Sequence, residues 1–396
     1  MSAARPWRVV AALGVTQVVS WGSLYYAFAV VMPSLQEALG ASRSVVVGAY
    51  SLSLLVSGLV AVPVGHYIDS NGSRVLMGAG SFLAAISLAL LSQAQSVAAL
   101  YFAEAVMGVA MGMTLYEPAF ASLAIAFKEN LRKAITVLTL AGGFASTVFW
   151  PLTQYLADTM GWREALLVLA AINFVTCVPL HAAFLPGGHH AAAANNKPDP
   201  GQRARLLADS RFRWLAIAFT GNTFVFATAG LHMLAILADR GYSASEAAAL
   251  GAMIGPMQVA GRVVDMVFAN RFNPRQVGIF AMLALPGSLV VLWFAGASVA
   301  LVVAFAVLYG SGNGIVTIVR GTVPAELFGR EGYGAMNGLI AAPSLIARAA
   351  GPLAGAALIA PLGGYGGVIL FLAAIALLAG LSFVAAVRLN PRSGLR

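Results

Sequence analysis

The sequence predicts an all-α membrane protein, with twelve transmembrane helices in two pseudosymmetric six-helix bundles. Three observations carry that expectation. Of 396 residues, 60% are hydrophobic and 9% charged, against about 25% charged in a soluble domain. The chain falls into twelve apolar runs of about 20 residues or more, the length that crosses a bilayer as helix. The second half also repeats the first at an offset of 201 residues: Gly40-Ala-Ser matches Gly241-Tyr-Ser, Asp69 matches Asn270, Arg74 matches Arg275 and Pro151-Leu matches Pro352-Leu. One offset held across six spans marks a duplication. Parallel six-helix halves with a site between them near the bilayer midplane are a transporter layout.

The spans are expected near 8–32, 45–65, 75–94, 98–126, 134–157, 164–185, 213–237, 247–269, 277–296, 298–323, 335–360 and 366–387. The halves are then 1–185 and 212–396, joined by a linker over 186–211. With the N-terminus inside, 17 of the 23 Lys and Arg residues fall on inner loops, and 3 (Arg43, Arg163 and Arg240) on outer loops. Positive residues collect on the cytoplasmic side, so both termini are expected there, in a plasma (inner) membrane. The net charge of +9 is therefore topological, and no nucleic acid partner is expected. The single cysteine, Cys177, excludes an internal disulfide or a Cys-metal cluster. The N-terminal Arg5-Pro-Trp-Arg8 segment resembles a signal n-region. The apolar run behind it is too long for a signal h-region, so it reads as span 1.

On span 1, Gln17, Trp21 and Tyr25 are spaced by four and share one stripe of a helix. They lie far from the span ends, which favours cavity lining over interfacial anchoring or plain helix packing. The repeat carries Trp21 onto Asn222 and Tyr25 onto Phe226 of span 7, candidates for a facing wall, with Asn313 and Thr317 of span 10 as further ones.

The loop after span 2 reads Gly65-His-Tyr-Ile-Asp69-Ser-Asn-Gly72-Ser-Arg74. It resembles the major facilitator superfamily signature Gly-x-x-x-Asp-Arg-x-Gly-x-Arg, with Ser70 where the family has arginine. The resemblance covers essentially the whole chain and implies a twelve-helix facilitator fold. It also implies a gating role for Gly65, Asp69, Gly72 and Arg74. Gly65 is suited to close helix packing and Gly72 to a tight turn, and Asp69 to meeting a helix N-terminus or an arginine across the loop.

Span 4 carries Glu104-x-x-x-Gly108-x-x-x-Gly112. The superfamily often has arginine at the first position of that string, linked to proton coupling. A buried Glu104 is accordingly either a proton carrier or a structural partner, and Glu117, further along, is open to the same two readings. The linker holds His189 and His190, neighbours without the fixed geometry a metal needs. His232 on span 7 is either a packed, hydrogen-bonded residue or a coupling switch.

Span 8 contains Gly255-Pro-Met-Gln-Val-Ala-Gly-Arg262-Val-Val-Asp265. An arginine at that depth costs roughly 2.5–3.5 kcal/mol on insertion scales and is functional by default. Gln258, Arg262 and Asp265 are spaced by four and three, on one side of a helix. Arg262, with Gln258 beside it, either receives an anion or pairs internally with Asp265, which is itself a further proton-coupling candidate. By the repeat these charges map to Ala61 and Val64, so they are additions to the second half. Arg348 stands near mid-bilayer on span 11, as a second anion anchor or a structural ion-pair partner. Arg320, near the end of span 10, suits a gating or structural role.

Within the superfamily the chain resembles the monocarboxylate transporter and oxalate:formate antiporter branch, through Gly161-Trp-Arg-Glu-Ala-Leu and through Arg262 followed by Val-Phe-Ala-Asn270 before Pro274-Arg275. That branch places a carboxylate-binding arginine on span 8, at the position of Arg262. The oxalate type adds a cation on span 11, for which Arg348 is the candidate. Span 1 has no lysine, where animal-type carriers use one in coupling.

The expected function is secondary transport of a small organic anion, a mono- or dicarboxylate, by proton coupling or exchange. The alternative is proton-driven efflux of amphipathic drugs or metabolites. The expected partners are that anionic solute, protons or a counter-substrate, and membrane lipid, with the protein a monomer. No metal-spacing motif or nucleophile–base pair occurs, so neither enzymatic activity nor a cofactor or metal is expected.

Overall fold

The computed structural model describes residues 4–127, 129–187, 200–268, 271, 273–329 and 333–388. Among the described residues, twelve helices are long and apolar enough to cross a membrane: Pro6–Leu39, Arg43–Asn71, Arg74–Ser92, Val97–Ala126, Lys133–Met160, Trp162–Phe184, Ser210–Asp239, Ala244–Val267, Pro274–Phe294, Val299–Phe328, Gly338–Leu358 and Tyr365–Arg388. These are spans 1–12 in chain order, as the hydropathy pattern predicts. His189, His190 and Asn270 lie outside the described residues.

The chain forms two compact units. The first comprises Met1–Ala193, Met233–Ala235 and Ser243–Ala252, and the second Ala194–His232, Ile236–Tyr242 and Met253–Arg396. Each has its own apolar core. In the first, Val9, Leu13, Met77, Leu123 and Leu138 meet. In the second, Phe212, Phe219, Val319 and Phe383 do so.

The repeat is visible in matched helix contacts. In the first unit, span 4 lies so close to span 2 that a Cβ on Gly108 would sit 2.5 Å from the Ser53 carbonyl oxygen, and one on Gly112 3.0 Å from that of Ser57. In the second unit, Gly310 lies against the Ile254 carbonyl and Gly314 against that of Gln258. Ile254 and Gln258 stand 201 residues after Ser53 and Ser57, while Gly310 and Gly314 stand 202 after Gly108 and Gly112. The same backbone-to-glycine approach therefore recurs with a one-residue slip. Small residues let helix backbones meet this closely in a membrane.

Proline interrupts span 4 and span 8. Span 4 consists of helices Val97–Thr114 and Tyr116–Ala126, broken at Leu115 (ψ −155°). Span 8 consists of Ala244–Ala252 and Ile254–Phe268, broken at Met253. The residue four places after Thr114 is Pro118, and four after Ala252 is Pro256. Neither has an N–H, so each break leaves a carbonyl without its helical donor. Both carbonyls are met by side chains of other helices: Gln17 Nε2 donates to Thr114 O at 2.7 Å, and Thr147 Oγ1 donates to Ala252 O at 2.9 Å.

The loop of the Gly65–Arg74 signature is tied to the end of span 6. Gly72 turns with φ +79° and forms an isolated bridge with Gly187. Ser73 and Arg74 both donate backbone N–H groups to Pro186 O, and Arg74 Nε donates to Leu185 O at 2.9 Å. The close packing expected at Gly65 is not found, since a Cβ there would meet nothing within 4 Å. Gly80, on span 3, makes the close approach instead, against Met113 and Thr114. Asp69 is exposed in the closing turn of span 2.

Candidate functional site

In the first unit an aromatic cluster forms where three helices lose their regularity. Span 1 widens into a π-helical turn over Trp21–Tyr26, in which the Ala27 N–H reaches back five residues to Gly22 O. Span 4 breaks at Leu115, and span 5 is interrupted after Gly142. Gly22 leaves room for the Phe149 ring, and Gly142 for the Tyr116 hydroxyl. Trp21 sits 5.1 Å from both Tyr25 and Tyr116, ring centre to ring centre. Tyr116 stacks on Phe120 at 5.3 Å, and Tyr26 meets Trp150 edge-on at 5.3 Å. Interruptions of this kind often mark functional sites in membrane helices.

The π turn changes which rings are accessible. A regular helix would keep Trp21 and Tyr25 on one stripe. The extra residue turns Tyr25 inward, where it is buried against Tyr50, while Tyr26 is half-buried like Trp21 and Tyr116. Two π-turn carbonyls also take side-chain donors, Tyr25 O from the Tyr50 hydroxyl at 3.3 Å and Tyr26 O from Trp150 Nε1 at 3.1 Å.

Gln17 does not present its amide to a solute. It is wholly buried, its Nε2 is given to Thr114 O, and its Oε1 accepts from Trp21 Nε1 at 3.2 Å. It positions Trp21 and the span 4 break.

Glu104 is 1% exposed. Its nearest polar neighbour is Ser53. The Ser53 hydroxyl donates to Tyr50 O at 2.7 Å. Glu117 is exposed in the first turn of Tyr116–Ala126, where a negative charge meets the positive end of the helix dipole.

In the second unit the glycine contacts hold the polar face of span 8. Gln258 and Arg262 are 6% and 5% exposed. The Gln258 carbonyl is seated on Gly314, and Gly261, next to Arg262, lies on the Ser311 backbone. Asp265 differs from both, being half-buried and lining a separate groove with Gln276 and Val277. Gln258 and Arg262 are thus buried while Asp265 lines the groove, and Arg262 and Asp265 each have an electrostatic or hydrogen-bonding partner. Asn222 is 8% exposed on span 7, and Phe226 stacks on Tyr309 at 5.5 Å, nearly parallel. Arg320 and Arg348 are half-buried. His232 is fully enclosed. Its Nε2 donates to Pro352 O at 2.9 Å, and its Nδ1 lies 3.1 Å from the Tyr365 hydroxyl. Both nitrogens are engaged, as a packed histidine requires.

Sequence reasoning missed Tyr26, Tyr116 and Trp150. It also missed His181, buried with its Nε2 3.0 Å from Thr16 Oγ1 and its Nδ1 2.9 Å from Ser81 Oγ and 3.1 Å from Met77 O, linking spans 1, 3 and 6. Proline four residues after Thr114 was the signal that pointed toward Tyr116.

Residues 13–269 match the family model described as Major Facilitator Superfamily, well over half of the chain. The chain belongs to that superfamily. It is a multi-pass membrane protein, and the relatives it matches are named as transporters, not enzymes. It is 29% identical over 271 residues to Monocarboxylate transporter 13 of Rattus norvegicus, covering 67% of this chain and 62% of that protein. It is 28% identical over 168 residues to Monocarboxylate transporter 11 of Mus musculus, covering 42% and 37%. The chain thus spans less than two thirds of the length of these relatives. Among solved structures, it resembles a bacterial homologue of the human lysosomal transporter Spinster, in an inward-facing and occupied conformation, with a TM-score of 0.76 at 15% identity over 100% of both chains. It also resembles the human organic anion transporter MFSD10, with a TM-score of 0.71 at 16% identity over 97% and 100%. At these identities the structural likeness establishes the superfamily fold alone.

Proposed function

We propose that this superfamily member is a secondary transporter that moves a small organic anion, a mono- or dicarboxylate, by alternating access, with both termini cytoplasmic in a plasma (inner) membrane. The observation that carries this reading is Arg262, a residue 5% exposed five places before the end of span 8, beside Gln258 on a glycine-seated helix face. Its counterpart in the first half is Ala61, so the cation is not needed to build the fold. A guanidinium offers a carboxylate two parallel hydrogen bonds. Relatives named as monocarboxylate transporters support the same solute class. Arg348 serves as a second cation for a dicarboxylate, Trp21 and Tyr116 pack the solute body, and Asn222 and Phe226 belong to the second-unit wall. Arg320 and the Gly65–Arg74 loop act in gating.

Transport is coupled to protons or runs as exchange. Of the carboxyl groups in the spans, Glu104 is the proton carrier we favour over Glu117 and Asp265. The Ser53 hydroxyl beside it is committed to Tyr50 O, so a charge there has little to offset its desolvation, whereas Glu117 sits at a helix N-terminus and Asp265 in an open groove. His232 fits coupling less well, because both ring nitrogens are committed.

The test is ligand-induced stabilisation of the purified protein, which follows occupancy by mass action. Short mono- and dicarboxylates are expected to raise its melting temperature. Arg262→Lys should erase that shift and abolish uptake, since a point charge lacks the bidentate fork. The aromatic cluster favours a second reading, efflux of amphipathic solutes. Stabilisation by amphipathic cations alone, with transport unchanged in Arg262→Lys, would establish it in place of the first.

A further inference from the structure

A groove of about 660 Å³ opens in the second unit between spans 8 and 9. Its apolar surface is Val264, Val277, Phe280 and, on span 10, Ile315. Its polar surface is Asp265, Gln276 and Arg271, gathered near the turn that joins the two spans. Val264 and Phe280 are 52% and 65% exposed. Span 9 packs chiefly on spans 10 and 12, which leaves its Phe280 side of the groove uncovered within the second unit.

The polar residues are absent from the matching place in the first half. At the 201-residue offset, Asp265, Arg271 and Gln276 correspond to Val64, Ser70 and Val75, and Phe280 to Ala79. Bundle architecture therefore does not require a charge here. Asp265 and Arg271 each have an electrostatic or hydrogen-bonding partner already, so a ligand would join an existing polar cluster. An acid and a base beside an apolar channel complement a molecule whose head carries both signs and whose tail is hydrocarbon.

We infer that this groove binds one aminophospholipid, its ammonium at Asp265, its phosphate at Arg271 and Gln276, and an acyl chain along Val264, Val277 and Phe280. An anionic phospholipid fits less well, because it brings no cation to Asp265 and sets a phosphate beside that carboxylate. The inference is independent of which solute is transported.

The experiment is native mass spectrometry of the full chain, released from vesicles of equal phosphatidylethanolamine and phosphatidylglycerol. Single-lipid adducts of phosphatidylethanolamine should exceed those of phosphatidylglycerol by about fivefold, the factor for one charge contact near a membrane surface. Asp265→Asn should bring the two lipids to parity. Phe280→Trp, at an exposed position that tolerates bulk, should narrow the channel and reduce both adducts while the melting temperature holds. Equal retention of both lipids by the unaltered protein, or adducts unchanged in both variants, would mean surface lipid only and overturn the inference. Displacement of the lipid by a small carboxylate would also overturn it, by assigning the groove to the solute.

Discussion

Gln17 and Thr114 lie 97 residues apart in the chain and meet at 2.7 Å, amide nitrogen to carbonyl oxygen. The contact repairs the hydrogen bond that Pro118 removes and also fixes Trp21 through the other end of the same amide. Gln17→Met keeps the volume and deletes both bonds. Leaving a buried carbonyl unsatisfied costs about 1–3 kcal/mol. A clear fall in melting temperature in detergent is expected, with quenching of Trp21 fluorescence altered. A variant as stable as the parent would show that Thr114 finds another donor.

The two kinds of glycine predict opposite responses to one methyl group. Gly314→Ala drives a Cβ into the Gln258 carbonyl, so spans 8 and 10 must separate and the Arg262 face with them. It should destabilise the protein and weaken carboxylate binding together. Gly65→Ala meets open space inside a helix, where alanine is favoured over glycine by roughly 0.5–1 kcal/mol. Its melting temperature should hold or rise. Thermal-shift measurement on the pair settles the contrast.

His232 holds Pro352 O with one nitrogen and the Tyr365 hydroxyl with the other. His232→Ala should lower stability and leave the pH profile of transport unchanged. Tyr365→Phe should have a smaller effect of the same kind. Loss of pH dependence at unchanged stability would instead make His232 the coupling group.

At the start of span 7, Asp209 accepts from the Arg211 backbone N–H at 2.8 Å and pairs with its guanidinium at 2.7 Å. The Arg211 side-chain bond is the main cause that holds the Asp209 carboxyl below its ordinary range. Because the folded value is depressed, the stabilisation is fully present above the unfolded value, about 3.9, and is lost as pH falls through the folded one. Asp209→Ala should therefore lower the melting temperature by the same amount at pH 5 and pH 8, with about 0.5–2 kcal/mol typical of a lost cap. A pH-dependent difference across that range would contradict the assignment.

The fold was legible because its signals are local or periodic. Run length located the spans, and the offset of Pro151 from Pro352 located the repeat. The helix breaks were also written in the chain, since Pro118 and Pro256 name the orphaned carbonyls four residues earlier. What was not written is the donor. Gln17 and Thr147 come from other helices, and their reach depends on packing that no single segment encodes. The π turn escaped for a related reason. A stripe drawn at 3.6 residues per turn gives Trp21 and Tyr25 the same access, whereas one added residue buries Tyr25 and leaves Tyr26 half-buried like Trp21. Arg262 was legible by cost alone, as a charge in an apolar run. The glycine seats that hold it showed only as spacing, without the partner carbonyls.

The backbone clasp of Gly72, Ser73 and Arg74 on Leu185–Gly187 has a practical corollary. The point where the chain leaves its sixth crossing is stitched to the turn after its second, so the stretch that follows departs from a fastened hem. A protease site introduced at 190–195 should then yield a nicked protein whose first half keeps its shape, migrates intact, and loses that integrity once Arg74 is replaced by alanine.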